Sequence, residues 1–250
     1  MEKVLKNNIG KTITKLPPTK SRNVITDIWY FFFNRPKRAT FLKFKTFQDR
    51  LNFRHSILQR IGMDASHYSV LNVHKIGIDA PVNYIFNELL KWDGDSTCWP
   101  NHIAKVYRVD GSIDNIQILP FNLSKYPFGI KKAPFGLDFI PLFNLTALKV
   151  QSVPDANEAD NARYILYKCS GGYPIGFFSM YVRSSIEQQN EKEQSQLFFA
   201  VGFDFFGRKN WANKHILVRI WIIIHNRVGR NVLNRFKQLA EWRFEKIQEG

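Results

Sequence analysis

Near its C-terminal end the chain carries two periodicities in succession. Leu197-Phe198-Phe199-Ala200-Val201-Gly202-Phe203-Asp204-Phe205 places an apolar residue at every odd position, with Gly202 and Asp204 among the even ones. Such alternation predicts a strand with Leu197, Phe199, Val201, Phe203 and Phe205 on one inward face. After Gly207, apolar residues recur in steps of three and four through Trp221, Ile224, Val228, Val232, Phe236, Leu239 and Ala240, with Asn, Arg and Lys between them. That spacing predicts an amphipathic helix of roughly 30 residues, about 45 Å long and able to cross a whole sheet. Two details bear on it: Gly229 sits mid-helix at a cost of about 1 kcal/mol, and the β-branched run Ile216–Ile224 also suits a strand.

Upstream, the same reading gives further strands. Tyr68–Ile78 has the β-branched content and alternation of a strand, and Asp79-Ala80-Pro81 then opens a helix with Val82, Ile85, Phe86, Leu89 and Leu90 on one face. Proline suits the first helical position because its missing N–H has no partner there. Trp92-Asp93-Gly94-Asp95 ends that helix, leaving room through Trp99-Pro100 for a short second helix or turn. Strands follow at Ile103–Asp110, Asn115–Pro120 after a Gly111-Ser112 turn, and Thr146–Val153. Arg163–Ser170 and Ile175–Ser184 make a hairpin through Gly171-Gly172-Tyr173-Pro174.

Strand, two helices, six strands and a long last helix is the plan of the helix-grip proteins. Ile78-Asp79-Ala80-Pro81-Val82-Asn83-Tyr84-Ile85-Phe86 resembles their strand-to-helix junction, and the Trp-containing segment Trp92–Pro100 follows it. Over about Tyr68–Ile247 the chain thus resembles the START-like, polyketide-cyclase-like (SRPBCC) superfamily. The resemblance implies an α+β helix-grip fold, a curved seven-stranded antiparallel sheet around the C-terminal helix. It implies an internal apolar cavity for a lipid, sterol, polyketide or other hydrophobic molecule. Expected lining residues are Trp99, Tyr167, Phe178, Met180, Phe199, Val201, Phe203, Trp221, Ile224 and Val228. A cyclase- or hydratase-type enzyme would use the same cavity with an acid or base among His102, Tyr167 and His225.

The chain divides on this reading into a basic aromatic extension, 1–60, and a ligand-binding domain, 61–250. The net charge is +15, from 36 Lys and Arg against 21 Asp and Glu, and it resides at the ends: +11 over 1–60, −3 over 61–207 and +7 over 208–250. Such ends attract phosphate-rich partners through fields that salt screens. In the extension, Ile28-Trp29-Tyr30-Phe31-Phe32-Phe33 runs into Arg35, Lys37 and Arg38 and then Phe41–Phe47, where rings and cations interleave. That mixture suits an anionic membrane interface, and equally suits rings docked on the domain with cations in water. Stacking on nucleic acid is chemically open, yet no nucleic-acid motif accompanies it. The connection Asn122–Asn144, with two Pro-Phe-Gly turns around Lys131-Lys132, is expected to be a lid, a membrane-touching loop or a loop packed on the sheet. The polar stripe of Asn226-Arg227, Arg230-Asn231, Asn234-Arg235 and Lys237 is expected to be solvated, or to meet a carboxylate or phosphate if Arg227, Arg230 or Asn234 turns inward.

Several chemistries find no motif. The six His residues offer no i, i+4 pair and no His-Glu helix motif, so no metal or cofactor is expected. Neither a nucleophile elbow nor a phosphate-binding glycine loop is present, and Asp93-Gly94-Asp95 lacks the rest of a calcium loop. Cys98 and Cys169 match no metal spacing and read as reduced, buried thiols. No stretch has the roughly 20 apolar residues of a membrane span, and the first 24 residues lack the apolar centre of a signal peptide. The expected location is the cytoplasm, with contact to a membrane surface.

Overall fold

The computed structural model describes residues 40–46, 70–91, 104–108, 111–120, 143–154, 161–170, 176–185, 195–203 and 216–249, together with 33, 48, 49, 52, 61 and 68. The protein is α+β. Strand β1 (Val70–Ile78) leads into helix α1 (Val82–Leu90). Then come β2 (Ala104–Arg108), β3 (Asn115–Pro120), β4 (Phe143–Pro154), β5 (Asn161–Ser170), β6 (Gly176–Ser184) and β7 (Ser195–Phe203). Helix α2 (Ile216–Glu249) closes the chain with 34 residues. Neighbouring strands follow the order β1-β7-β6-β5-β4-β3-β2 and every pairing is antiparallel. The β1-β7-β6-β5 unit carries the core. Ile216–Ile224 is helical, because its backbone continues into the long α2 rather than finding a strand partner.

Alternation in the four core strands creates two apolar faces. On one, Ile76 and Ile78 of β1, Ile165 and Tyr167 of β5, Phe178 and Met180 of β6 and Leu197 and Phe199 of β7 pack with both helices. Ile85 and Leu89 of α1 and Leu233, Phe236 and Ala240 of α2 supply the opposing surface, nearly all under 3% exposed. Each buried Leu, Ile or Phe of this kind contributes about 1.5–3 kcal/mol before entropy is counted. Leu197, Phe199 and Val201 thus lie on the inward face expected for them.

The opposite face carries a second apolar cluster, joined by residues that precede β1. Leu42, Phe44, Ile61 and Tyr68 pack against Leu71, Val73, Leu166, Phe177, Tyr181 and Phe198. Residues 40–42 also extend the sheet: Leu42 N–H donates to the Val73 carbonyl at 2.9 Å and Lys75 N–H to the Thr40 carbonyl at 2.8 Å. A dividing line at residue 60 therefore crosses a packed cluster, with Leu42 and Phe44 on one side and Ile61 on the other.

Polar contacts fix the helices on the sheet. Glu88 of α1, 3% exposed, is held by Lys91 and by Arg243 of α2, whose Nη1 lies 2.7 Å from Oε2. Glu241 of α2 accepts from the Asp79 N–H at 2.8 Å and pairs with Lys237, whose Nζ also donates to the Gly77 carbonyl at 2.6 Å. These contacts set which residues of α2 face β1. At the β2–β3 turn Gly111 has φ +77°, a left-handed conformation that glycine adopts without strain.

Segments 92–103, 121–142, 171–175 and 186–194 lie outside the described residues. So do the expected second helix, the Pro-Phe-Gly loop, the Gly-Gly turn, Cys98, and the aromatic run apart from Phe33.

Candidate functional site

Polar residues interrupt the helix-facing side of the sheet at β1. Asn72 and His74 share the side of β1 that carries Ile76 and Ile78, and they are 3% and 1% exposed. His74 Nδ1 lies 2.9 Å from the Thr40 hydroxyl, itself buried. The Phe41 ring tilts against the imidazole at 5.5 Å between centroids. From α2, the His225 ring faces it at 6.4 Å. Gly229 lies closer still: a Cβ there would meet His74 Nε2 at 2.7 Å, Cε1 at 2.8 Å and Cδ2 at 2.9 Å.

Burial governs the electrostatics of this pair. Desolvation lowers the His74 pKa to about 4, against a smaller opposing effect of its hydrogen bond with the Asn226 side chain. Desolvation, with His74 second, lowers His225 to about 3. Both imidazoles are therefore neutral at pH 7. His74 and Asn226 hydrogen-bond to each other across the two elements, and beside them Asn72 Nδ2 is buried with no hydrogen-bond partner among the described residues. A donor buried without a partner costs about 1–3 kcal/mol, so the Asn72 amide marks a place where a polar group belongs.

An aromatic row leads away from them across the sheet. Strand register places Asn72 beside Val201, Val201 beside Phe178 and Phe178 beside Tyr167. The next row is His74, Phe199, Met180 and Ile165. Phe178 and Tyr167 stack with centroids 6.1 Å apart, and Phe178 meets Phe199 edge-on at 5.5 Å. The inner face thus grades from polar at β1 to aromatic at β5.

The expected lining residues separate on this surface. Tyr167, Phe178, Met180 and Phe199 sit together on the inner face with Val201 packed against them. Ile224 does not join them: it is 47% exposed, and Val228 is partly exposed. The inward residues of the first half of α2 are instead His225, Asn226 and Gly229, because Leu233, Phe236 and Ala240 set the rotation of the helix against the sheet. Trp99 lies outside the described residues, as do the side chains of Phe203 and Trp221.

Of the acid–base candidates, Tyr167 donates its hydroxyl to the Ile113 carbonyl at 3.0 Å, and burial raises its pKa further above the usual phenol range. It anchors the β3 end of the sheet. His225 belongs to the polar cluster, and His102 lies outside the described residues. Burial pushes the Cys169 thiol up to about 12, which suits an inert core thiol. Among the described residues no group of His, Cys, Asp and Glu has metal-binding geometry. Asn72 and His74 were not singled out by sequence, while Asn226 stood out only as part of a polar stripe and Gly229 only as a mid-helix glycine. The one signal for Asn72 and His74 was parity, since they hold positions in register with the inward Ile76 and Ile78.

No family model matches the chain, and no curated protein matches it in sequence.

Proposed function

We propose that the protein binds an amphipathic small molecule between the inner face of its sheet and α2, in the manner of a helix-grip domain with seven strands curved around the last helix. The observation that carries this reading is the juxtaposition of a polar cluster, Asn72, His74 and Asn226, in which Asn72 Nδ2 is unmatched, with the apolar row of Val201, Phe178 and Tyr167. The polar end of the ligand hydrogen-bonds to that cluster and its apolar body lies along the row. Because both histidines are neutral, the matching end is a neutral hydroxyl, carbonyl or amide, each of which can accept from the Asn72 amide.

The enzyme alternative is weaker on the same ground. A general base works best with a pKa near the operating pH, and His74 near 4 and His225 near 3 fall well below it. Binding without chemistry fits those values.

Native mass spectrometry of freshly purified protein, followed by organic extraction, tests this. A discrete adduct with a long apolar body and a neutral polar end is the expected result. A clean apo mass that stays unshifted by long-chain alcohols, sterols, fatty amides and polyketide-like compounds would overturn the reading.

A further inference from the structure

The side of α2 turned away from the sheet carries its own pattern. Ile216, Ile220, Ile223 and Ile224 are 73%, 45%, 67% and 47% exposed. At 100° per residue they fall within an arc of about 100°, opposite the inward Gly229, Leu233 and Phe236. Four exposed isoleucines in little more than two turns form a contiguous patch, and patches of that kind mark contact surfaces.

The charge around them is one-sided. From Phe205 to Ala240 the chain has eight Lys or Arg and no Asp or Glu; Arg219 is exposed on the same turns, while Lys237, farther along the helix, is paired with Glu241. Among the described residues no helix is long and apolar enough to cross a membrane. An aliphatic stripe flanked by cations on a helix too polar to span is the pattern of a segment lying in a bilayer interface.

We propose that the first turns of α2 dock the protein on an anionic bilayer, with Ile216, Ile220, Ile223 and Ile224 entering the headgroup boundary and the surrounding cations meeting lipid phosphates. Charge complementarity selects this occupant. A second copy of the chain would bring two cation-rich helices face to face, and a nucleic acid, bound through its phosphates, leaves an aliphatic stripe uncovered. Docking here stands apart from the bound amphiphile: a protein that binds vesicles yet carries no ligand keeps this proposal and loses the other.

The test is flotation of the full chain with vesicles of phosphatidylcholine alone and with about one third phosphatidylglycerol, at low and high salt. Wild type is expected to bind the anionic vesicles at least about tenfold more tightly than the neutral ones, and less tightly in high salt. Ile216→Glu/Ile223→Glu is expected to lose at least about tenfold, with an unchanged circular dichroism spectrum. Ile216→Ser/Ile223→Ser removes the apolar side chains without adding charge, and loses binding too if the stripe inserts. Equal binding to both vesicles, or binding unaltered in the serine pair, would overturn the proposal. So would a lipid-free dimer that the serine pair dissolves, since the stripe would then be an interface between copies.

Discussion

Gly229 and His74 occupy each other's space: the helix residue has no side chain where the strand residue has its ring, and a methyl group at Gly229 would come within 2.7 Å of Nε2. The ring cannot swing aside, because Thr40 holds its Nδ1 and Phe41 and His225 flank it.

Gly229→Ala is therefore expected to destabilise the protein by about 1–3 kcal/mol through overpacking, although alanine alone would favour the helix by about 1 kcal/mol. In a His74→Ala background the sign reverses, and Gly229→Ala becomes neutral or stabilising. Urea denaturation of the four proteins of the cycle measures both. A Gly229→Ala effect that is the same in either background would remove the contact as the reason for the glycine.

Acid should weaken the fold before most carboxylates titrate. The folded His74 has its pKa lowered from 6.5 to about 4, so the unfolded chain binds the proton more readily between those values. Stability is then complete above about pH 6.5, falls as pH drops toward 4, and loses on the order of 3 kcal/mol from this residue by the lower limit. His225 acts in the same direction. Melting temperature against pH should show the decline, and His74→Gln should flatten it. An unchanged slope in that variant would place the titration elsewhere.

Arg243 and Glu88 join α2 to α1 in a nearly closed environment. Arg243→Met removes one of the two cations from Glu88 and is expected to cost about 2 kcal/mol, with Lys91 still in place. Glu88→Gln in that background should recover part of the loss, since the amide needs no counter-charge. Chemical denaturation gives both numbers, and a loss under about 0.5 kcal/mol, the ordinary level of an exposed pair, would show the bridge to be solvated.

Element order was legible wherever period and punctuation agreed. Pro81 marked the start of α1, observed at Val82, and the alternation around Phe199 marked β7, observed at Ser195–Phe203. The rotation of α2 was not. Its second half buries Phe236, Leu239 and Ala240 as the spacing suggests. Its first half puts His225 and Asn226 toward the sheet and leaves isoleucines outside, so a stripe extrapolated through Ile224 and Val228 follows the wrong side. Hydrophobic periodicity assumes that the inward face is apolar, and a buried polar cluster breaks that assumption. The glycine at 229 was the local sign of a close approach, but only the position of His74 on another element gives it meaning. Likewise Thr40, distant in sequence, becomes part of the site through two backbone hydrogen bonds to β1.

Those two hydrogen bonds also shield the fold from itself. The outer edge of β1 is a row of backbone donors and acceptors, and an uncovered edge is a template for any extended strand that meets it. By laying Thr40–Leu42 along that row, the chain occupies the template with its own upstream segment. A fragment trimmed to start at residue 61 would keep every strand of the sheet, yet expose both this edge and the apolar surface under Leu42 and Phe44. It would be prone to edge-to-edge aggregation, which makes the basic leading segment a built-in guard of colloidal solubility as well as a source of charge.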